Sequence, residues 1–168
     1  EGTLYQTCYS EHPLCVPARV SLMTGLHGFK TGVLDNGLFL RPDYADMGIA
    51  PWPAILNAVG YYTAAVGKMH FYPWDLRLGF QYRVIAEDKR WQYIRDDYYH
   101  YLREAGLRKL HGNEHEGYYE HKGAIINRLP WEYTVDHFCG MEACRFIDRY
   151  QGVKERRIEL RHTVEFTS

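Results

Sequence analysis

The segment Cys15-Val16-Pro17-Ala18-Arg19, followed by Thr24-Gly25, sets a thiol and a guanidinium four residues apart. Pro17 suits the first turn of a helix and Gly25 suits its end, so residues 17–25 read as a short helix with Cys15 at or just before its start. The free N–H groups and the dipole at such a terminus favour an anion. Arg19 lies one turn on, on the same face, and a guanidinium can grip a sulfate or phosphate through two parallel hydrogen bonds. Taken alone, the stretch reads first as a structural Cys beside a surface Arg. A second segment, Gly67-Lys68-Met69-His70, follows the apolar run Tyr61–Val66. The end of a buried strand in an α/β sheet is where ligand sites gather, and a Lys and a His two residues apart on extended chain face one pocket. Lys68 would supply charge for an anionic group and His70 a proton shuttle. Alone, this pair reads as a solvated Lys and a loop His.

Regular elements must position these groups. Trp52, Ile55, Leu56 and Val59 follow the i, i+3, i+4, i+7 spacing of an amphipathic helix that Gly60 would cap. With the strand Tyr61–Val66 it makes one α/β step. Residues 26–51 are rich in Gly, Asp and Pro and read as loop, with Asp35-Asn36-Gly37 a turn. Residues 90–105 read as a helix, with Trp91, Ile94, Tyr98 and Leu102 on one stripe before Gly106. Residues 106–130 read as a long polar surface loop. Thr134 would cap a helix running to about Tyr150, with Val135, Phe138, Phe146 and Ile147 facing inward. Residues 151–168 carry Lys154-Glu155-Arg156-Arg157 and no clear pattern. The fold class is α/β.

The two segments, in this order, resemble the sulfatase family. The C-x-P-x-R signature with its trailing Thr-Gly is one half of the likeness. The other is Gly60-Tyr61-Tyr62-Thr63-Ala64-Ala65-Val66-Gly67-Lys68-Met69-His70. Gly32-Val33, Asp35-Asn36 and Leu78-Gly79-Phe80 are similar too, so the likeness spans roughly residues 1–150. It implies an alkaline-phosphatase-like sandwich with a central mixed sheet, incomplete in this chain: residues 1–150 as part of a catalytic domain, residues 151–168 as a tail of unclear origin. It implies that a formylglycine-generating enzyme oxidises Cys15 to formylglycine, whose hydrated aldehyde is both nucleophile and ligand of a divalent cation, usually Ca²⁺. One hydroxyl of the hydrate would attack sulfur and expel an alcohol; the second would let the covalent intermediate expel sulfate and regenerate the aldehyde. By the same likeness, Arg19 holds the hydrate and the charge on the metal side, Lys68 binds the sulfate, and His70 hydrogen-bonds the hydrate and assists breakdown of the intermediate. The substrate class is a small-molecule or carbohydrate sulfate ester.

Ala18 stands where the family usually has Ser, and Met69 where it often has Trp. The modifying enzyme mainly needs Cys, Pro and Arg, so modification stays in keeping with the sequence. The family's acidic metal-binding pair lies upstream of the signature, and this chain starts too late to hold it. A further Asp with Asn or His, and a second Lys, follow a later strand that residues 151–168 do not resemble. The expectation is therefore a fragment lacking its true N-terminus, with the compartment left open. A phosphonate or phosphate monoester hydrolase of the same superfamily is the nearest alternative, and Asp96-Asp97-Tyr98 and Tyr101-Leu102 are somewhat similar to that branch. An inactive truncated product, or an interaction module using exposed Tyr and Trp, is the non-catalytic alternative. A cysteine phosphatase fits poorly, because it sets Cys and Arg farther apart on a loop of backbone donors.

Composition agrees with a globular enzyme. The 168 residues are 46% hydrophobic and 24% charged, which excludes a disordered chain. No uncharged apolar run approaches the ~20 residues of a membrane helix. Twenty basic against 21 acidic residues give a net charge of −1, which favours neither nucleic acid nor an anionic membrane as partner. Fifteen Tyr, 7 Phe and 4 Trp predict broad, partly wet packing surfaces. Cys8, Cys15, Cys139 and Cys144 match no disulfide scaffold or structural zinc spacing, and Cys8 and Cys139 read as small buried hydrophobes. The stretch His111-Gly112-Asn113-Glu114-His115-Glu116, with His121 nearby, reads as polar loop in preference to a metal site.

Overall fold

The computed structural model describes residues 2–87 and 94–150 and, for the backbone alone, 158–162. Its elements run α1 (Cys15–Thr24), α2 (Gly28–Thr31), α3 (Trp52–Ala58), β1 (Tyr62–Gly67), β2 (Tyr82–Ile85), α4 (Asp97–Glu104), α5 (Val135–Tyr150) and β3 (Ile158–His162), with 3-10 turns at Gly112–Glu114 and Trp131–Tyr133. The strands form a parallel sheet in the order β2-β1-β3. The architecture is therefore mixed helix and sheet, with a small open sheet.

β1 is the centre. Parallel strands covered on both faces read as continuous apolar runs, and Thr63–Val66 is buried throughout. Alternate residues serve opposite layers. Ala65 packs with Val16, Val20 and Met23 of α1 and with Val33, Phe71 and Phe80. Val66 packs with Val84, Tyr98, Leu102 and Phe138 on the side of α4 and α5. The Tyr excess finds its use there: the rings of Tyr98 and Tyr101 pack at a tilt against Phe138, and their hydroxyls donate to the carbonyls of Tyr133 and Glu132, at 2.7 and 2.8 Å. Burial pushes the Tyr98 phenol upward.

Several elements differ from expectation. α1 starts at Cys15, two residues earlier, and Gly25 closes it in the left-handed conformation (φ 68°). One helical turn, α2, interrupts the expected loop of residues 26–51, with His27 Nδ1 accepting from the Phe29 amide at its start. Ile55 and Val59 are 52% and 68% exposed, so their stripe is not the inner one. α3 instead faces the sheet through Trp52 on Phe80 and through Asn57, which donates to the Gly79 carbonyl and accepts from the Thr63 hydroxyl. α4 begins only at Asp97, because the Asp96 carboxylate accepts the Tyr99 amide as an N-cap. Ile94, Tyr98 and Leu102 are buried as expected; Trp91 lies outside the described residues.

α5 begins where Thr134 was expected to cap it, and the Thr134 hydroxyl accepts the His137 amide. Phe138 and Phe146 are buried, but Val135 and Ile147 are exposed, because the inner stripe runs through Phe138, Cys139, Ala143 and Phe146. Cys139 is buried, whereas Cys8 is exposed, in a leading stretch without helix or strand. The patternless tail contains β3, paired alongside β1 from Tyr62↔Ile158 to Val66↔His162; residues 151–157 and 163–168 lie outside the described residues. Among the described residues no helix is long and apolar enough to cross a membrane.

Candidate functional site

α1 presents Cys15 half-buried at its first position, with the thiol free of any disulfide. The next backbone N–H, that of Val16, donates to Asn36 Oδ1 at 3.0 Å, so Asn36 ties the Asp35–Gly37 turn to the helix start. Asp35 Oδ1 accepts the Gly37 amide at 2.6 Å and shapes that turn. Arg19 lies four residues along α1, about 6 Å at the helical rise. Its Nη1 donates to the carbonyl oxygen of Lys68 at 2.8 Å. That hydrogen bond spans 49 residues of sequence and joins the two segments on which the chemistry rests.

Lys68 and His70 sit just past the end of β1, and both are buried. His70 adopts a left-handed backbone conformation (φ 56°), which is uncommon for a residue with a side chain. Two opposed anchors hold this turn. Arg19 grips the Lys68 carbonyl, and the Glu87 carboxylate accepts the backbone N–H of Met69 at 3.0 Å and of His70 at 3.1 Å. Burial pushes the Glu87 carboxyl upward, while those two N–H bonds and the charges of Arg83 and Arg19 pull it back. Arg83 is itself lowered to about 10 by burial and so stays cationic at neutral pH, with its guanidinium 5.2 Å from the Phe71 ring centroid.

Behind Glu87 lies a buried ion pair. Lys109 Nζ is 2.5 Å from Asp96 Oδ2, and the same oxygen accepts the Glu87 backbone N–H at 2.6 Å. A cleft of about 70 Å³ opens beside this group, lined by Phe39, His70, Phe71, Trp74, Glu87 and Ile94. A narrower cavity is shared by Val16 and His70, so the residue after Cys15 and the last residue of the second segment face one space. Of Cys15, Arg19, Lys68 and His70, only His70 lines these two spaces; the other three lie outside their walls.

Asn36 and Asp96 stood out in the sequence as motif residues but not for the backbone contacts they make, and Glu87 and Lys109 did not stand out. Of the latter two, Glu87 alone left a signal that could have found it: it follows the apolar run Val84-Ile85-Ala86, as Lys68 follows Tyr61–Val66. The stretch around His111 behaves as loop. The Glu114 carboxylate accepts the His111 amide at 2.7 Å and pairs with Arg108, and His115 Nδ1 accepts the Arg128 amide. Among the described residues no group of three or more His, Cys, Asp or Glu could hold a metal. A calcium ion takes about six to eight oxygen ligands, so these residues do not by themselves make its site.

A model of the family described as Sulfatase matches residues 1–140. A choline-sulfatase of Rhizobium meliloti is 39% identical over 82 residues, which are 47% of this chain and 14% of that protein. The N-acetylgalactosamine-6-sulfatase of Mus musculus is 35% identical over 78 residues, covering 42% of this chain and 15% of its own length. The chain thus spans about one-seventh of these curated relatives. A solved structure, Ps i-CgsB in complex with k-i-k-neocarrahexaose, superposes with a TM-score of 0.53 over 92% of this chain and 35% of its own. At 19% identity that likeness shows the fold alone.

Proposed function

Because this chain belongs to the sulfatase family, we propose that it carries the nucleophile-bearing part of a sulfuric ester hydrolase, with Cys15 converted to formylglycine by a formylglycine-generating enzyme. The observation that carries the reading is the 2.8 Å hydrogen bond from Arg19 to the Lys68 carbonyl, which brings the helix of one motif against the turn of the other. The modified residue would supply a geminal diol, one hydroxyl to attack and one to expel sulfate. Lys68 neutralises the charge of the bound sulfate ester. His70 hydrogen-bonds the hydrate and moves its proton. Arg19 braces the Lys68 turn and adds positive charge. A divalent cation, Ca²⁺ in this proposal, would take residue 15 as one ligand and would polarise the bound sulfate ester; among the described residues no group of three or more His, Cys, Asp or Glu completes a site for it.

The substrate class is a sulfate ester of a small alcohol or a sugar, in keeping with relatives named for choline and for N-acetylgalactosamine. The chain by itself is proposed to be an inactive piece of the site, so robust turnover by the isolated chain overturns that part. Peptide mass spectrometry across Cys15, after co-expression with a formylglycine-generating enzyme, tests the nucleophile. The aldehyde is expected, and unmodified thiol throughout refutes it. In a longer relative with the same motifs, Lys68→Ala or His70→Ala should lower kcat by about 10²–10³. Unchanged turnover removes that residue from the site. Profiling the same protein on aryl and alkyl sulfates against phosphonate and phosphate monoesters tests the ester class, and preference for a phosphorus ester overturns the sulfate assignment.

A further inference from the structure

We propose that Glu87 is a positioning residue that clamps the Lys68–Met69–His70 turn by its two backbone N–H groups, so that the Lys68 and His70 side chains are held toward one anion. This rests on the function proposed above only in its last clause.

The turn needs such a clamp. A side-chain-bearing residue held at φ 56° costs energy that its surroundings must offset. The carboxylate meets the turn where its donors converge: Oε1 accepts from Met69 at 3.0 Å and from His70 at 3.1 Å, and Oε2 lies 3.3 Å from the same His70 nitrogen. Hydrogen bonds to a carboxylate are about twice as strong as neutral ones, and more so where water is excluded. Glu87 is 4% exposed.

Glu87 is itself fixed from behind. Its N–H donates to Asp96, and its carbonyl lies 3.4 Å from Lys109 Nζ, which also pairs with Asp96. Asp96 caps α4, so the clamp is seated on the N-terminus of a helix packed against the sheet. Both carboxylate oxygens are engaged by the turn, which fits a positioning role and not one as general base. The result is a two-sided grip, with Arg19 on the carbonyl of the turn and Glu87 on its amides.

The test follows individual amides of the ¹⁵N-labelled chain by hydrogen exchange and titrates inorganic sulfate into the same samples. Glu87→Ala removes the acceptor. Glu87→Asp keeps the charge but withdraws it by one methylene. Glu87→Gln keeps an acceptor oxygen in place. Relative to the β1 amides of Thr63–Val66, the Met69 and His70 amides should exchange at least about tenfold faster in Glu87→Asp and Glu87→Ala. Glu87→Gln, which keeps one acceptor oxygen and loses the charge, should exchange faster than the parent and slower than Glu87→Asp. Sulfate binding should weaken in the same order. Unchanged exchange at the two amides, or a rise only in step with β1, overturns the clamp. Should Glu87→Ala fail to fold, the contrast between Glu87→Asp and Glu87→Gln decides by the same criterion. Selective exchange in a parent chain that binds no sulfate supports the clamp and overturns the clause that it holds Lys68 and His70 toward an anion.

Discussion

Replacing Lys109 by Met removes one partner of the ion pair beneath the site and keeps most of the side-chain volume. Lys109 and Asp96 side chains are 5% and 0% exposed, and their charged atoms lie 2.5 Å apart. Solvent screening therefore offers no discount. Breaking a buried pair from one side costs about 3–5 kcal/mol because the remaining charge is stranded, whereas a surface pair is worth about 0–1 kcal/mol. Two features set the expected value. Asp96 would still accept the Glu87 and Tyr99 amides, at 2.6 and 2.8 Å, which lowers the penalty. The ammonium also lies 5.7 Å from the Tyr98 ring centroid, and losing that contact raises it slightly. Met fills the space of the stem, so the cavity contribution is small. The expected loss is about 3 kcal/mol, a large share of the roughly 5–15 kcal/mol that holds a domain folded. In urea this moves the midpoint down by about 1–3 M. Asp96→Asn with Lys109→Met should cost about 1–3 kcal/mol less than the sum of the single variants. A loss under about 1 kcal/mol for Lys109→Met, with additive singles, refutes the reading of these residues as a coupled buried pair.

Three further outcomes follow from local chemistry. Burial pushes the Cys139 thiol up to about 12, while Cys8 and Cys144 are exposed; iodoacetamide at neutral pH should label Cys8 and Cys144 in the folded chain and Cys139 only after denaturation, as read by peptide mass spectrometry. Gly79 has φ 90°, and a Cβ there would lie 2.6 Å from the Ala54 backbone nitrogen, so Gly79→Ala should destabilise by at least about 1–3 kcal/mol in a urea melt and disturb the seat of α3 on β1. The Arg108 guanidinium holds the Glu114 carboxyl down at about 2. Because its folded value lies below its unfolded one, the contribution is present above the ordinary carboxylate range and is lost as pH falls toward 2; carboxyl NMR should follow that titration, and Arg108→Ala should move it upward only part of the way, because the His111 amide still donates to the carboxylate.

What the sequence disclosed was what residue type and spacing determine locally. Pro17 and Gly25 bounded α1 to within two residues, because one needs no amide partner and the other takes a left-handed cap. The run before Gly67 read as a buried strand because β1 is covered on both faces and needs no polar alternation. The type of α5 and its Thr134 cap were legible for similar reasons. β2 was missed because its four residues include Arg83, whose terminal nitrogen donates to the Leu76 carbonyl while the cation sits by Phe71. Ile55 and Val59 misled because helical spacing fixes which residues share a face but not which face meets the sheet. Cys15, Arg19, Lys68 and His70 were visible as two motifs. The contacts that hold those motifs were not, although Asn36 and Asp96 stood in recognisable stretches, since Asn36, Glu87, Asp96 and Lys109 act on backbone groups 9 to 22 residues away. No local pattern encodes a partner at that distance.

The charges of this site also differ from those of the chain as a whole. Net charge is −1, yet the charged groups around the turn that follows β1 are the cations Arg19 of α1, Lys68, Arg83 of β2 and Lys109 against the carboxylates Glu87 and Asp96. Both carboxylates are already occupied, Glu87 by two amides of the turn and Asp96 by Lys109 and two further amides. Each is thereby turned toward the protein backbone. In the proposed function the neutral part of the substrate would meet the rings of Phe39, Phe71 and Trp74, which line the cleft beside His70.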